Sequence, residues 1–169
     1  MDLKKLKSGT DIRGTAVDTE QYGPMELTDE AVKAIARAFL VWREKRVNIP
    51  KEGLRVAVGR DSRVSGPRIS EALKSAFLPY GAKCFDCGLA STPSMFMAVL
   101  NLPCDCAVQI TASHHPYYRN GLKFFTKDGG LESEDIDEIL ELAEAGACPK
   151  EREGGAWEQT DHMAVYAKG

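Results

Sequence analysis

Short apolar runs alternate with helical stripes along the chain, and the alternation predicts a layered α/β fold. Leu54 to Val58 reads as a buried strand, Lys83 to Cys87 as a second and Cys104 to Ile110 as a third. Between them the period changes. Val32, Ile35, Phe39 and Trp42 recur at i, i+3, i+7 and i+10, one apolar face of a helix. Thr28 is its predicted cap, Asp29 and Glu30 suit its positive end, and Asn48 and Pro50 are its stop signals. A second helix starts at Ser65, with Pro67 in its first turn, the stripe Ile69, Leu73, Ala76 and Phe77, and Gly81 as its end. A third starts at Thr92-Pro93, with Phe96, Val99 and Leu100 inward. A fourth starts at Ser133, with the stripe Ile136, Ile139, Leu140 and Ala143, and ends at Gly146.

These elements predict an α/β/α domain around a mostly parallel, mixed sheet. Leu122 to Thr126, followed by the turn Lys127-Asp128-Gly129-Gly130, fits an antiparallel edge strand. Residues 147–161 read as irregular. A new helical pattern begins at His162 and the sequence stops inside it. The expected organisation is one domain over 1–161, with 162–169 opening a connector to a further domain, since boundaries fall in exposed connectors.

Composition narrows the function classes. The chain has 169 residues, 22 Lys+Arg and 25 Asp+Glu, for a net charge of −3. Such a balance carries no global basic field, which argues against nucleic acid as a partner. No window approaches the ~20 consecutive apolar residues of a membrane span. The opening MDLKKLKSGTD lacks the apolar core of a signal peptide, so the cytoplasm is the expected compartment. Cys84 and Cys87 form a C-x-x-C pair, with Cys104 and Cys106 nearby. Zinc or redox use is one reading. The favoured one is structural: three residues apart on a strand, Cys84 and Cys87 face opposite ways, so they serve as small buried hydrophobes.

Three segments are dense in chemistry. Gly59-Arg60-Asp61-Ser62-Arg63 and the stretch from Thr111 to Lys123 both follow predicted strands, where open α/β sheets bind ligands. The third is Ser8-Gly9-Thr10-Asp11-Ile12-Arg13-Gly14. The Thr111–Lys123 segment holds a serine, two histidines, an arginine and a lysine. A serine hydroxyl is a weak nucleophile unless a neighbour takes its proton, and His114 is adjacent. The cations suit an anionic substrate, phosphate above all. The plain alternative is a polar loop whose Ser and His bond the backbone. No nucleophile elbow, P-loop, dinucleotide fingerprint or D-x-D-x-D triad occurs.

Thr111-Ala112-Ser113-His114-His115-Pro116 closely resembles the T-A-S-H-N-P loop of the α-D-phosphohexomutases, the phosphoglucomutase and phosphomannomutase enzymes. Asn120-Gly121-Leu122-Lys123 is similar to that family's N-G-x-K. Thr10-Asp11-Ile12-Arg13-Gly14 is similar to its D-I-R-G opening, and Gly59-Arg60-Asp61-Ser62-Arg63 to its G-R-D-x-R. These matches fall in three segments, in the right order, that span nearly the whole chain.

The resemblance implies reversible phosphoryl transfer between positions 1 and 6 of a hexose phosphate, through a phosphoserine at Ser113 and a hexose bisphosphate intermediate. Mg2+ would bind an oxygen of that phosphoserine. Arg13 and Lys123 would flank it, with Lys123 supplying charge or moving a proton. Thr111 and His114 would orient the loop, His114 also as a proton shuttle, and Asn120 belongs to the same motif. Arg60 and Arg63 would organise this side of the domain, by salt bridges or by ligand contact. Two features depart from the family pattern. His115 stands where the family has Asn, and the aromatic residue before D-I-R-G is absent. The family has four domains, and this chain resembles the first. The D-G-D-x-D-R metal loop, the G-E-x-S-G sugar loop and the distal phosphate loop belong to later domains, so this stretch alone is expected to be inactive. The competing expectation is a phosphosugar-binding module without catalysis.

Overall fold

The computed structural model describes residues 2–47, 53–101, 104–112 and 115–160, apart from the side chains at 94 and 98–101. After a single 3-10 turn at Lys4–Leu6, the strands are β1 (Lys7–Ser8), β2 (Asp11–Thr15), β3 (Arg55–Arg60), β4 (Lys83–Leu89), β5 (Cys106–Ile110), β6 (Arg119–Thr126), β7 (Gly129–Gly130) and β8 (Ala156–Gln159). The helices are α1 (Asp29–Glu44), α2 (Gly66–Phe77), α3 (Thr92–Asn101) and α4 (Ser133–Glu144). Among the described residues one sheet runs in the order β1-β2-β6-β5-β3-β4-β8, with β7 paired to β6.

The mixed α/β class is as expected. The sheet has a parallel half, β5-β3-β4-β8, and an antiparallel half, β1-β2-β6-β5. The strand expected at an antiparallel edge is instead internal, because β2 pairs along the free side of β6. The stretch expected to be irregular carries β8, which extends the parallel half beyond β4.

Helix α1 is capped as predicted, with the Thr28 hydroxyl accepting from the Ala31 amide. Its stop signals, Asn48 and Pro50, lie outside the described residues. Helix α2 follows Ser65, whose hydroxyl makes no cap bond and instead accepts from Asn120. Helix α4 begins at Ser133, with a capping box closed by Glu132 and Asp135. Val99 and Leu100, expected inward on α3, have side chains outside the described set, and Met95 fills the centre of that contact. The helical pattern at His162 also lies outside the described residues.

Two apolar clusters sandwich the sheet. The larger joins the buried faces of α1, α2 and α4 to Val56, Val58, Val108 and Phe124. The smaller sets Met95 of α3 against Ala57, Ala107 and Phe125. Cys84 and Cys106 belong to the first cluster, Cys87 and Cys104 to the second. The C-x-x-C pair therefore faces opposite ways, as strand geometry requires. Burial pushes the Cys84 and Cys104 thiols up to about 12 and Cys87 to about 11, and raises Cys106 as well. Thiols held protonated in this way are poor nucleophiles and behave as packing groups.

Candidate functional site

The connections around β3 leave in opposite senses. From β3 the chain passes through α2 to β4 on one side of it. It then returns through α3 to β5 on the other. The carboxyl ends of β3 and β5 thus form the switch point at which α/β sheets hold ligands. Asp61 follows one strand and Thr111 the other, and the Thr111 hydroxyl donates to Asp61 Oδ2 at 2.7 Å. The Asp61 amide donates to the Ile110 carbonyl, which ties the two loops at the backbone.

Strand β2 brings the N-terminal motif beside this point. Residues at i and i+2 of a strand share a face, so Asp11 and Arg13 project together while Ile12 enters the core. The antiparallel register sets Arg13 opposite Gly121 and Ile12 opposite Leu122, which carries Asp11 on to Lys123. Asp11 is 5% exposed and bridges two cations. Its Oδ2 accepts from Arg13 Nη2 at 2.8 Å, and its Oδ1 from Lys123 Nζ at 2.9 Å. Gly121 makes the close approach feasible. A Cβ there would meet the Ile12 carbonyl oxygen, Arg13 Cγ at 2.7 Å and the Thr111 carbonyl oxygen at 2.9 Å.

The remaining contacts fix the loop. The His115 amide donates to the Ala112 carbonyl. Ser113 and His114, between them, lie outside the described residues. Arg63 donates from Nε to Asp61 Oδ2, and from Nη1 to the carbonyls of Pro116 (2.8 Å) and Arg119 (3.1 Å). Asn120 is fully buried; its amide nitrogen donates to Ser65 Oγ, and its oxygen accepts from the Gly121 amide. Arg63 and Asn120 are thus loop-organising residues. Arg60 does not join this group. Its side chain lines a cavity with residues of α2, β4 and β8.

Arg13 Nη1 lies 2.9 Å from His115 Nε2. A guanidinium only donates, so Nε2 accepts and the ring proton sits on Nδ1. Desolvation lowers the His115 pKa below 6.5, with Arg13, Arg119 and Arg63 adding to the effect. In the window below 6.5 the unfolded chain takes up the proton first, so stability falls as the pH drops towards the folded-state value. NMR titration of the His115 ring is expected to give a midpoint below 6.5. Arg13→Gln is expected to move it up.

Sequence reasoning found the cations and missed their organisers, Asp11 and Asp61. The i, i+2 spacing of Asp11 and Arg13 was a signal only once that segment was known to be a strand.

The similarity of the whole chain to known proteins gives its family. The family profile for phosphoglucomutase/phosphomannomutase, alpha/beta/alpha domain I, matches residues 4–148. The chain belongs to the phosphoglucomutase/phosphomannomutase family. A phosphoglucosamine mutase of Leuconostoc citreum is 36% identical over 141 residues, covering 83% of this chain and 29% of that protein. One from Bartonella henselae is 41% identical over 134 residues, 79% of this chain and 27% of that protein. A phosphoglucomutase of Neisseria meningitidis is 31% identical over 159 residues, 94% of this chain and 32% of that protein. A solved phosphoglucomutase/phosphomannomutase family protein of Burkholderia thailandensis superposes with a TM-score of 0.77 at 25% identity. The match takes in 99% of this chain and 35% of that one. The chain thus spans between 27% and 35% of the length of these family members.

Proposed function

We propose that this chain is the phosphoryl-carrying domain of a phosphohexomutase. Ser113 is its phosphoserine, and hexose phosphate and hexose bisphosphate are the substrate and intermediate. The observation that carries the reading is the Arg13–Asp11–Lys123 bridge, set beside the loop that runs from Thr111 to His115. Two cations held by one buried carboxylate support that reading, because a transferring phosphoryl group needs its charge neutralised.

In the proposed step a sugar hydroxyl attacks the phosphorus of phospho-Ser113. The bond from phosphorus to Ser113 Oγ breaks as the bond to the sugar oxygen forms. The hydroxyl proton passes to His114 and from there to the departing Ser113 Oγ, while Lys123, ion-paired with Asp11, supplies positive charge. The reverse transfer, from the other end of the bisphosphate, restores the phosphoserine. Thr111, Arg63 and Asn120 hold the loop in place for both half-reactions.

The described residues do not themselves fit Mg2+. Among them no three His, Cys, Asp or Glu side chains are grouped to hold a metal ion, and Asp11 and Asp61 are engaged by Arg13, Lys123, Arg63 and Thr111. Mg2+ prefers a near-octahedral set of oxygens. A phosphorylated Ser113 would offer one, and the others would come from a later domain of a longer chain.

The test is turnover. The 169-residue chain is expected to show no conversion of glucosamine 6-phosphate, glucose 6-phosphate or mannose 6-phosphate to the 1-phosphate. The chain extended by the rest of its gene is expected to convert at least one of them. Ser113→Ala in that longer chain should lower kcat by about a thousandfold or more. An extended chain with unaltered kcat after Ser113→Ala would overturn the reading. The phosphoglucosamine mutases among the relatives make glucosamine 6-phosphate the first substrate to try.

A further inference from the structure

Arg60 differs from three of the arginines at this end of the sheet. Arg13, Arg63 and Arg68 each have a carboxylate partner, in Asp11, Asp61 and Asp29. Arg60 has neither an ion pair nor a side-chain hydrogen bond among the described residues, although it is half-buried. It faces a cavity of about 280 Å³ at the carboxyl end of β3 and β4, lined also by Ser70, Lys74, Asp86, Trp157 and Gln159. Lys74 has no carboxylate partner among the described residues either, and its ammonium lies 6.0 Å from the centre of the Trp157 ring.

Among the described residues, the carboxylates that border the cavity make no ion pair with either cation. Both oxygens of Asp86 are engaged: Oδ1 accepts from the Gly88 amide at 2.8 Å, and Oδ2 from Trp157 Nε1 at 3.2 Å. Glu71 also borders the cavity, from the exposed side of α2, and pairs with neither cation. A guanidinium drawn partly out of water without an ion-pair partner is held at a cost that a bound anion removes. The planar fork of Arg matches two oxygens of a phosphate, and Lys adds a point charge.

We propose that this cavity is a second anion site, lined by none of the residues of the Arg13–Asp11–Lys123 bridge. It takes a phosphate-sized oxyanion between Arg60 and Lys74, either free or as the phosphoryl group of a small metabolite. The proposal does not depend on Ser113 carrying phosphate. Trp157 reports on it directly, because its ring meets Lys74 and its N–H meets Asp86.

The experiment follows the two tryptophan indole N–H signals of the 169-residue chain by NMR while inorganic phosphate is added, with sodium chloride at matched ionic strength as the reference. Trp157→Phe assigns the signals. The Trp157 signal is expected to move saturably with phosphate and not with chloride, while that of Trp42 stays. Arg60→Gln should weaken the binding about tenfold or more, and so should Lys74→Gln, an α2 substitution that spares the core. Arg13→Gln should leave it unchanged. A repeat with glucose 6-phosphate separates the sources: tighter binding than phosphate assigns the site to a phosphorylated metabolite, and equal binding to the free ion. No phosphate-specific shift, or a shift that survives Lys74→Gln or disappears with Arg13→Gln, would overturn the proposal.

Discussion

Replacing Gly121 with alanine is expected to destabilise the chain by about 3 kcal/mol, at the upper end of what an added methyl costs in a packed interior. The methyl would press on the carbonyl oxygens of Ile12 and Thr111 and on Arg13 Cγ. Two of those neighbours are backbone, which cannot rotate aside. Relief requires strand β2 to move away from β6, and that movement takes Asp11 from Lys123 and Arg13 from His115. Urea unfolding measures the stability loss, and the His115 ring signal registers the displaced guanidinium. A variant as stable as the parent would mean that the β2–β6 approach is looser than described. Serine and larger residues at 121 should be worse than alanine.

The second large effect is expected from Asp11→Asn. The side chain keeps its shape and loses its charge. Arg13 and Lys123, both held on that one carboxylate, then face each other without it. Breaking a buried pair by removing one partner costs about 3 to 5 kcal/mol. The lower figure applies here, because Lys123 keeps about a quarter of its side chain in water. Chemical denaturation is again the measurement. Lys123→Met removes one of the two cations while Asp11 keeps Arg13, so its cost should be clearly smaller than that of Asp11→Asn. Equal costs would show that Asp11 serves Lys123 alone.

The legible parts of this fold were those whose physics is local. The stripes Val32–Trp42 and Ile69–Phe77 become α1 and α2 because a 3.6-residue apolar period specifies a helix, started by the Thr28 cap in α1 and by Pro67 in the first turn of α2. Strand β2 was hidden because its only large apolar residue is Ile12, with Asp11 and Arg13 on either side turned to the site. Strand β8 was hidden by Gly154 and Gly155, and its one large apolar residue is Trp157, which packs against the main core. Gly155 is needed because a Cβ there would collide with the Leu78 backbone, a constraint that only the folded chain reveals.

The candidate site divides in the same way. Arg13, Lys123, Thr111 and Arg63 could be named from residue type and motif. The carboxylates that fix them could not, because Asp11 meets Lys123 only through the register of β2 on β6, and Asp61 meets Thr111 only where β3 lies beside β5. Arg60 was grouped with the loop because it precedes Asp61 in one motif. Adjacent residues leaving a strand point to opposite sides, and Arg60 faces α2 instead.

The central claim is that Ser113 carries the transferring phosphoryl group. The most direct test is peptide mass spectrometry on the full-length gene product after brief exposure to hexose bisphosphate, with and without a chase of hexose monophosphate. The account predicts a phosphoryl group on the peptide containing Ser113, which the monophosphate removes as bisphosphate forms. A phosphoryl group that never appears there, or that the chase leaves in place, would contradict it.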